Sequence, residues 1–158
     1  MKKTVTIAVL CLITLATAQA RSIQDLFDKY ADDERFTYVS VGRGAMNMVS
    51  GFIDFATIPS EDKEMISKIN GVKILTLESA TDEKLMKTIV TEVDKVVKDG
   101  QFESLAEVRD KGERVNVYMQ TSKNTAELLI AVKNKKEMSL IWFSGTKDAI
   151  EKQVEKYR

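Results

Sequence analysis

Carboxylates are the side chains of this sequence with the most evident capacity for chemistry. Two carboxyl groups held ~5 to 9.5 Å apart can serve as the acid and the nucleophile or base of a glycoside hydrolase. The best-spaced candidates are Asp82 with Glu83 and Glu103 with Glu107. The first pair falls at a predicted helix start and the second on a predicted strand, where the helix dipole and a solvated face account for them. A carboxylate-based, glycosidase-like hydrolase is therefore the alternative function.

Composition restricts the other chemistries. The 158 residues contain no His and one Cys, so Ser-His and Cys-His pairs and His-bound metals are excluded. The acidic cluster Asp32-Asp33-Glu34 lacks the alternating spacing and the glycine of a calcium loop. We predict no catalytic residue, no metal and no cofactor. The 24 basic and 24 acidic residues balance, which does not favour a nucleic-acid partner.

Two short segments resemble known cofactor-binding and catalytic motifs, but both motifs are incomplete. Gly42-Arg43-Gly44 follows a predicted strand and precedes a helix, as in a dinucleotide fingerprint, but Asn47 stands where the third glycine is needed. Ser60 and Lys63 have the S-x-x-K spacing of penicillin-recognising enzymes, whose S-D-N and K-T-G elements are missing. A tight turn and a helix cap explain these residues.

The N-terminus has the three parts of a secretory signal peptide. Two lysines precede an apolar run over residues 5–16, and small residues follow as far as Ala20. The run is shorter than the ~20 apolar residues of a membrane span. We predict that residues 1–20 are a signal peptide, cleaved after Ala20 or after Ala18, with no transmembrane anchor left. Cys11 is lost with it, and the chain is expected to be exported to the periplasm or the cell surface.

Residues 21–158 are predicted to form a single α+β domain. After Gly100 the spacing of the apolar residues changes from that of a helix to every second residue, which is typical of β-strands. Short polar links join the successive strands, so neighbouring strands must be antiparallel. We therefore expect an antiparallel β-sheet, with a C-terminal four-strand meander and two further strands, packed on one face by helices. Helices are predicted at 22–30, 45–55, 61–69, 81–98 and from 146, and strands at 36–41, 72–77, 104–109, 114–120, 125–132 and 138–143.

Alternation along the strands predicts which side chains face the core. Val115 and Val117 share one face of their strand, and we expect that face to be buried. Tyr118, Leu129 and Trp142 fall on the other face and would form an exposed apolar patch. We expect a contact site there, for another envelope protein or for self-association. The alternative is that an N-terminal helix covers the patch.

Several phrases along the mature chain resemble one bacterial family, the domain-of-unknown-function family 4252 of exported proteins from Bacteroides-like bacteria. The family has no established activity, so the resemblance supplies no functional residues. It implies an envelope regulatory or signalling context, and we expect a non-enzymatic contact domain. Members often keep an acidic phrase where this chain has Lys147-Asp148-Ala149. The phrases that carry the resemblance are Leu26-Phe27-Asp28-Lys29-Tyr30, Phe36-Thr37-Tyr38-Val39-Ser40-Val41, Val72-Lys73-Ile74-Leu75, Phe102-Glu103-Ser104-Leu105, Val115-Asn116-Val117-Tyr118, Glu127-Leu128-Leu129-Ile130-Ala131-Val132 and Leu140-Ile141-Trp142-Phe143-Ser144-Gly145.

Overall fold

The computed structural model of the chain describes residues 22–46, 66–78 and 82–156. The signal peptide, the Ser60–Lys63 motif and most of the helices predicted at 45–55 and 61–69 lie outside these ranges. Within them, three helices pack on a six-stranded antiparallel sheet, which confirms the α+β fold. The elements are α1 (Ile23–Tyr30), β1 (Phe36–Gly42), β2 (Ile69–Leu77), α2 (Glu83–Asp99), β3 (Glu103–Asp110), β4 (Glu113–Thr121), β5 (Thr125–Lys133), β6 (Met138–Thr146) and α3 (Lys147–Lys156).

Helix α1 begins with a capping box, as the spacing of Ser22 and Asp25 favours. The Ser22 hydroxyl accepts a hydrogen bond from the backbone N–H of Asp25 at 3.1 Å, and the Asp25 carboxylate accepts one from the Ser22 N–H at 3.0 Å. These bonds satisfy backbone donors that a helix start leaves unpaired. The helix then buries Ile23, Leu26, Phe27 and Tyr30 on one side.

Helix α2 starts two residues later than the spacing predicts. Asp82 caps it, because its carboxylate accepts from the backbone N–H of Leu85 at 2.9 Å. At the other end Gly100 stops the helix in a right-handed conformation, and the left-handed residue is Gln101, with φ 55°. Gly100 is needed for its missing side chain and not for a left-handed φ. A Cβ there would lie 2.9 Å from the Val96 carbonyl oxygen and 3.0 Å from the Phe102 ring.

The strands follow the order β1-β2-β6-β5-β4-β3, so the meander over β3 to β6 is confirmed. Strand β2 comes from the first half of the chain and pairs with β6, the last strand. Asn70-Gly71, a dipeptide typical of turns, lies inside β2 at a register irregularity between Ile69 and Gly71. The bulge lets the backbone stay in the sheet where the local sequence favours a turn.

Helices α1 and α2 cover one face of this sheet. Residues 23–30 of α1 and the buried side of α2 form one hydrophobic core with that face. An ion pair from Lys73 of β2 to Asp28 of α1, at 3.0 Å, fixes α1 over the second strand. The sheet residues buried in this core are Leu75, Leu77, Leu129, Ala131, Met138, Leu140 and Trp142, with Tyr118 half-buried against it.

Candidate contact face

The three residues predicted to form a contact site are brought together by the sheet. Tyr118 lies opposite Leu129 on β4 and β5, and Leu129 lies opposite Trp142 on β5 and β6. The row is not exposed, however: Leu129 is 0% and Trp142 5% accessible beneath the helices. Their prediction as an exposed patch is therefore wrong, and the alternative, cover by an N-terminal helix, is what the structure has.

The polar groups of this row are held in a core environment. The indole N–H of Trp142 donates a hydrogen bond to the Glu127 carboxylate at 3.0 Å. Tyr118 is half-buried, and burial, reinforced by the charge of Asp94, raises the pKa of its hydroxyl. Burial of both rings and an internal partner for the indole N–H are the marks of core residues rather than of a surface that awaits a partner.

A charged cluster joins the two helices above the row. The Glu92 carboxylate of α2 accepts hydrogen bonds from the Tyr30 hydroxyl, at 2.9 Å, and from the Lys29 ammonium of α1. Burial and this carboxylate raise the pKa of Tyr30, and the hydrogen bond to Glu92 raises that of Lys29. The cluster links α1 to α2, whose buried sides share one hydrophobic core on the same face of the sheet.

The other face of the sheet is apolar and is only partly covered by described residues. We call it the open face. The sheet register places its side chains in rows across all six strands, such as Val39, Ile74, Ile141, Ile130 and Val117. Val39 on β1 is 44% exposed and Val108 on β3 is 55% exposed, and these strands are the two edges. The open face consists of Thr37, Val39, Val41, Val72, Ile74, Thr76, Ser139, Ile141, Phe143, Leu128, Ile130, Val132, Val115, Val117, Met119, Ala106 and Val108.

Helix α3 covers one end of this face. It follows β6 directly and folds back, so that Ala149 and Ile150 are buried. A Cβ at Gly145 would lie 3.4 Å from Ile150, which places the helix on the side of β6 that also carries Phe143. The remaining rows extend from there toward Thr76 and Ser139, whose hydroxyls hydrogen-bond each other at 3.0 Å.

The prediction for the face of β4 is thus inverted. Val115 and Val117 were expected to be buried, and they are half-buried on the open face, whereas Tyr118 packs against the core. Strands β5 and β6 are apolar on both faces, so alternation alone does not choose the side that the helices cover. The missed signal is the pairing of two amphipathic helices, α1 and α2, which together cover only one face.

The carboxylates predicted as hydrolase candidates have structural partners or exposed positions. Asp82 caps α2 and lies 3.2 Å from Arg35. Glu107 accepts hydrogen bonds from the Arg109 guanidinium, which lowers the pKa of that carboxyl. Glu83 and Glu103 are exposed at the first residues of α2 and β3. Within the described ranges, no three potential metal-ligating side chains of His, Cys, Asp or Glu converge.

Comparison with known proteins gives the family and nothing finer. No curated protein and no solved structure matches the chain. In the part of the chain that the structure describes, no helix is long and apolar enough to span a membrane. The family model described as "Domain of unknown function (DUF4252)" matches residues 30–153, most of the chain. The chain therefore belongs to the DUF4252 family, which confirms the resemblance carried by its strand and helix phrases.

Proposed function

We propose that this protein is an exported, non-enzymatic contact domain whose open face pairs with the open face of a second copy. The observation that carries the proposal is the pair of exposed valines, Val39 and Val108, at opposite edges of one continuous apolar face. An apolar face that is exposed at both edges and half-buried between them is a candidate interaction site. The signal-like N-terminus supports a periplasmic or cell-surface location, and the family resemblance favours an envelope regulatory or signalling context.

The width of the open face argues for a partner as wide as the sheet. Six strands spaced ~4.8 Å apart span about 24 Å from β1 to β3. A helix is about 10 Å wide with its side chains, so one helix covers less than half of that span. A second six-stranded sheet covers Val39 and Val108 together, because sheets stack face to face at about 10 Å.

The chemistry of the face is self-complementary. The charged residues that the register places on this face, Glu103, Asp110 and Glu113, lie at the ends of β3 and β4. The apolar rows between them can therefore meet in two copies without burying an unpaired ion. A twofold arrangement then places the same apolar rows against each other. Two surfaces of about 24 Å by about 20 Å bury roughly 1,000 Å² together, near the lower limit for specific interfaces.

The test measures the oligomeric state of the protein purified from cells, after any cleavage of the signal peptide. Sedimentation velocity should show a concentration-dependent dimer for the wild type. Replacing Val39 and Val108 together with Glu should give a folded monomer, since both side chains are already largely exposed. The matched control is Ser40→Glu, a neighbouring exposed residue on the opposite face of β1.

Several outcomes would overturn the proposal. One is a wild type that stays monomeric at every concentration. Another is a dimer that survives the Val39 and Val108 replacements. Turnover of a glycoside substrate, lost on replacing Glu103 or Glu107 with Gln, would instead favour the hydrolase.

A further inference from the structure

A cleft at one end of the sheet is lined mainly by cations. It has a volume of about 540 Å³ and lies between the first turns of α2 and the β3–β4 and β5–β6 turns. Four of its side chains are basic and one is acidic, and Met86 supplies an apolar wall. Its lining residues are Glu83, Met86, Lys87, Gly112, Arg114, Lys133, Asn134 and Lys135.

Two of these cations are placed directly opposite each other. Arg114 of β4 pairs in register with Lys133 of β5, on the face that carries Tyr118 and Leu129. Like charges at such a position repel and destabilise a sheet. The Arg114 Nε lies 4.0 Å from a carboxylate oxygen of Glu107. That oxygen already accepts a hydrogen bond from the Arg109 Nε–H at 2.8 Å. Within the described residues, Lys133 forms no ion pair.

Helix α2 adds positive charge from the other side. Its N-terminal end carries the positive pole of the helix dipole, where Lys and Arg are disfavoured. Lys84 and Lys87 nevertheless lie in the first two turns, and Lys87 lines the cleft. Glu83 and the cap Asp82 offset part of this charge, but Asp82 is also 3.2 Å from Arg35.

The turns keep the cleft open and fix its rim. The Asn134 side-chain oxygen accepts hydrogen bonds from the backbone N–H groups of Lys136 and Glu137, at 2.7 and 2.8 Å, which holds the turn that carries Lys135. In the facing turn Gly112 has φ 89° and nothing lies within 4 Å of where its Cβ would be. Glycine suits this position because of its left-handed φ, and its Cα faces open space between the two turns.

We propose that this cleft binds a phosphate group. The planar Arg114 fork can donate two parallel hydrogen bonds to phosphate oxygens, and the lysines act as point charges around it. Binding would neutralise the repulsion between Arg114 and Lys133. The phosphate belongs either to a small soluble molecule or to a lipid headgroup, and the chemistry of recognition is the same for both.

The experiment measures binding of inorganic phosphate and pyrophosphate to the full chain by calorimetry at constant ionic strength. Saturable binding is expected. Arg114→Gln and Lys133→Gln should each weaken it roughly tenfold, the equivalent of one lost charge-assisted hydrogen bond. Lys123→Gln is the control, because this exposed lysine lies in the β4–β5 turn at the opposite end of the sheet.

A second arm distinguishes the source of the phosphate. Cosedimentation with vesicles of phosphatidylcholine plus phosphatidylglycerol, lost in Lys133→Gln and missing with phosphatidylcholine alone, identifies a headgroup. Phosphate or pyrophosphate binding without cosedimentation identifies a soluble ligand.

Melting temperatures measured without ligand check that the variants fold and that Arg114 and Lys133 repel each other. Arg114→Gln and Lys133→Gln should melt at the wild-type temperature or above it, because each removes one of two opposed like charges. A lower melting temperature for both would overturn the repulsion argument. Failure of all the probes to bind, or equal binding by wild type, Lys133→Gln and Arg114→Gln, would overturn the phosphate site.

Discussion

The Tyr30 hydroxyl of α1 donates a hydrogen bond of 2.9 Å to the Glu92 carboxylate of α2, and so links two helices separated by the first two strands of the sheet. The bond is half-buried and its acceptor is charged, which makes it stronger than an exposed neutral bond. Together with the Lys29 contact to the same carboxylate, it fixes the relative position of the helices that cover the core.

Replacing Tyr30 with Phe should lower the free energy of unfolding by about 1 to 2 kcal/mol, because the hydrogen bond is lost while the ring remains. Urea unfolding measures the change. Tyr38→Phe is the matched control, since the Tyr38 hydroxyl makes no hydrogen bond to another described residue, and it should cost much less. Equal losses in the two variants would contradict a specific role for the Glu92 contact.

Alkaline pH should weaken the fold partly through the same tyrosine. Burial raises the pKa of Tyr30 in the folded state above its ordinary value of 10.0. The contribution of this group to stability is complete below about pH 10 and is lost as pH rises through the folded pKa. Urea midpoints between about pH 8 and about pH 11 should therefore fall less steeply for Tyr30→Phe than for the wild type. Tyr118 has a raised pKa as well, so part of the slope should persist.

The ion pair of Asp33 and Arg35 gives a corresponding prediction for stability at acid pH. Hydrogen bonds from Arg35 lower the pKa of Asp33 from 3.8 to about 2. Its contribution to stability is present above about pH 4 and is lost as pH falls toward 2. Arg35→Gln should return the carboxyl pKa toward 3.8, as measured by NMR titration of the side-chain carbon.

Arg109→Gln is the control for that measurement. It should leave Asp33 unchanged and raise the lowered pKa of Glu107, whose main partner is Arg109. A pKa of Asp33 that stays near 2 without Arg35 would show that another group holds it there.

The two faces of β5 should respond differently to truncation. Leu129→Ala removes a fully buried side chain from the core and should cost about 2 to 5 kcal/mol in urea unfolding. Leu128→Ala, on the open face, should cost less than half as much in the monomer. Similar costs would mean that the open face is as well packed as the core.

The processed N-terminus tests the predicted export. Sequencing of the protein from the periplasmic or surface fraction should begin at Arg21, or at Gln19 if cleavage follows Ala18. Recovery of a chain that still begins at Met1, in the cytoplasm, would contradict it.

Local features of this fold could be predicted well from the sequence. The capping box of Ser22 and Asp25 forms as the spacing indicates, because the two side chains bond only to backbone three residues away. The β3 to β6 meander follows for the same reason, since short polar links leave each strand only one neighbour to reach.

Nonlocal choices could not be predicted. Strand β2 pairs with β6 as well as with β1. The pattern of residues in β2 does not indicate which distant strand will lie beside it. The side of the sheet that the helices cover depends on where α1 and α2 meet, so Leu129 and Trp142 were assigned to the surface although they lie in the core. The basic cleft was missed because Lys87, Arg114 and Lys133 are far apart in sequence and meet only through α2 and the strand register.

The pairing of β2 with β6 also restricts the order in which the strands of the sheet can pair during synthesis. Ile74 of β2 lies opposite Ile141 of β6, so the centre of the sheet cannot close until nearly the whole chain has been synthesised. The hairpin of β3 and β4 needs only neighbouring residues and can form early. A chain that stops before β6 leaves β2 without its central partner, so nascent chains pass through a stage in which apolar strands are unpaired and depend on protection from aggregation.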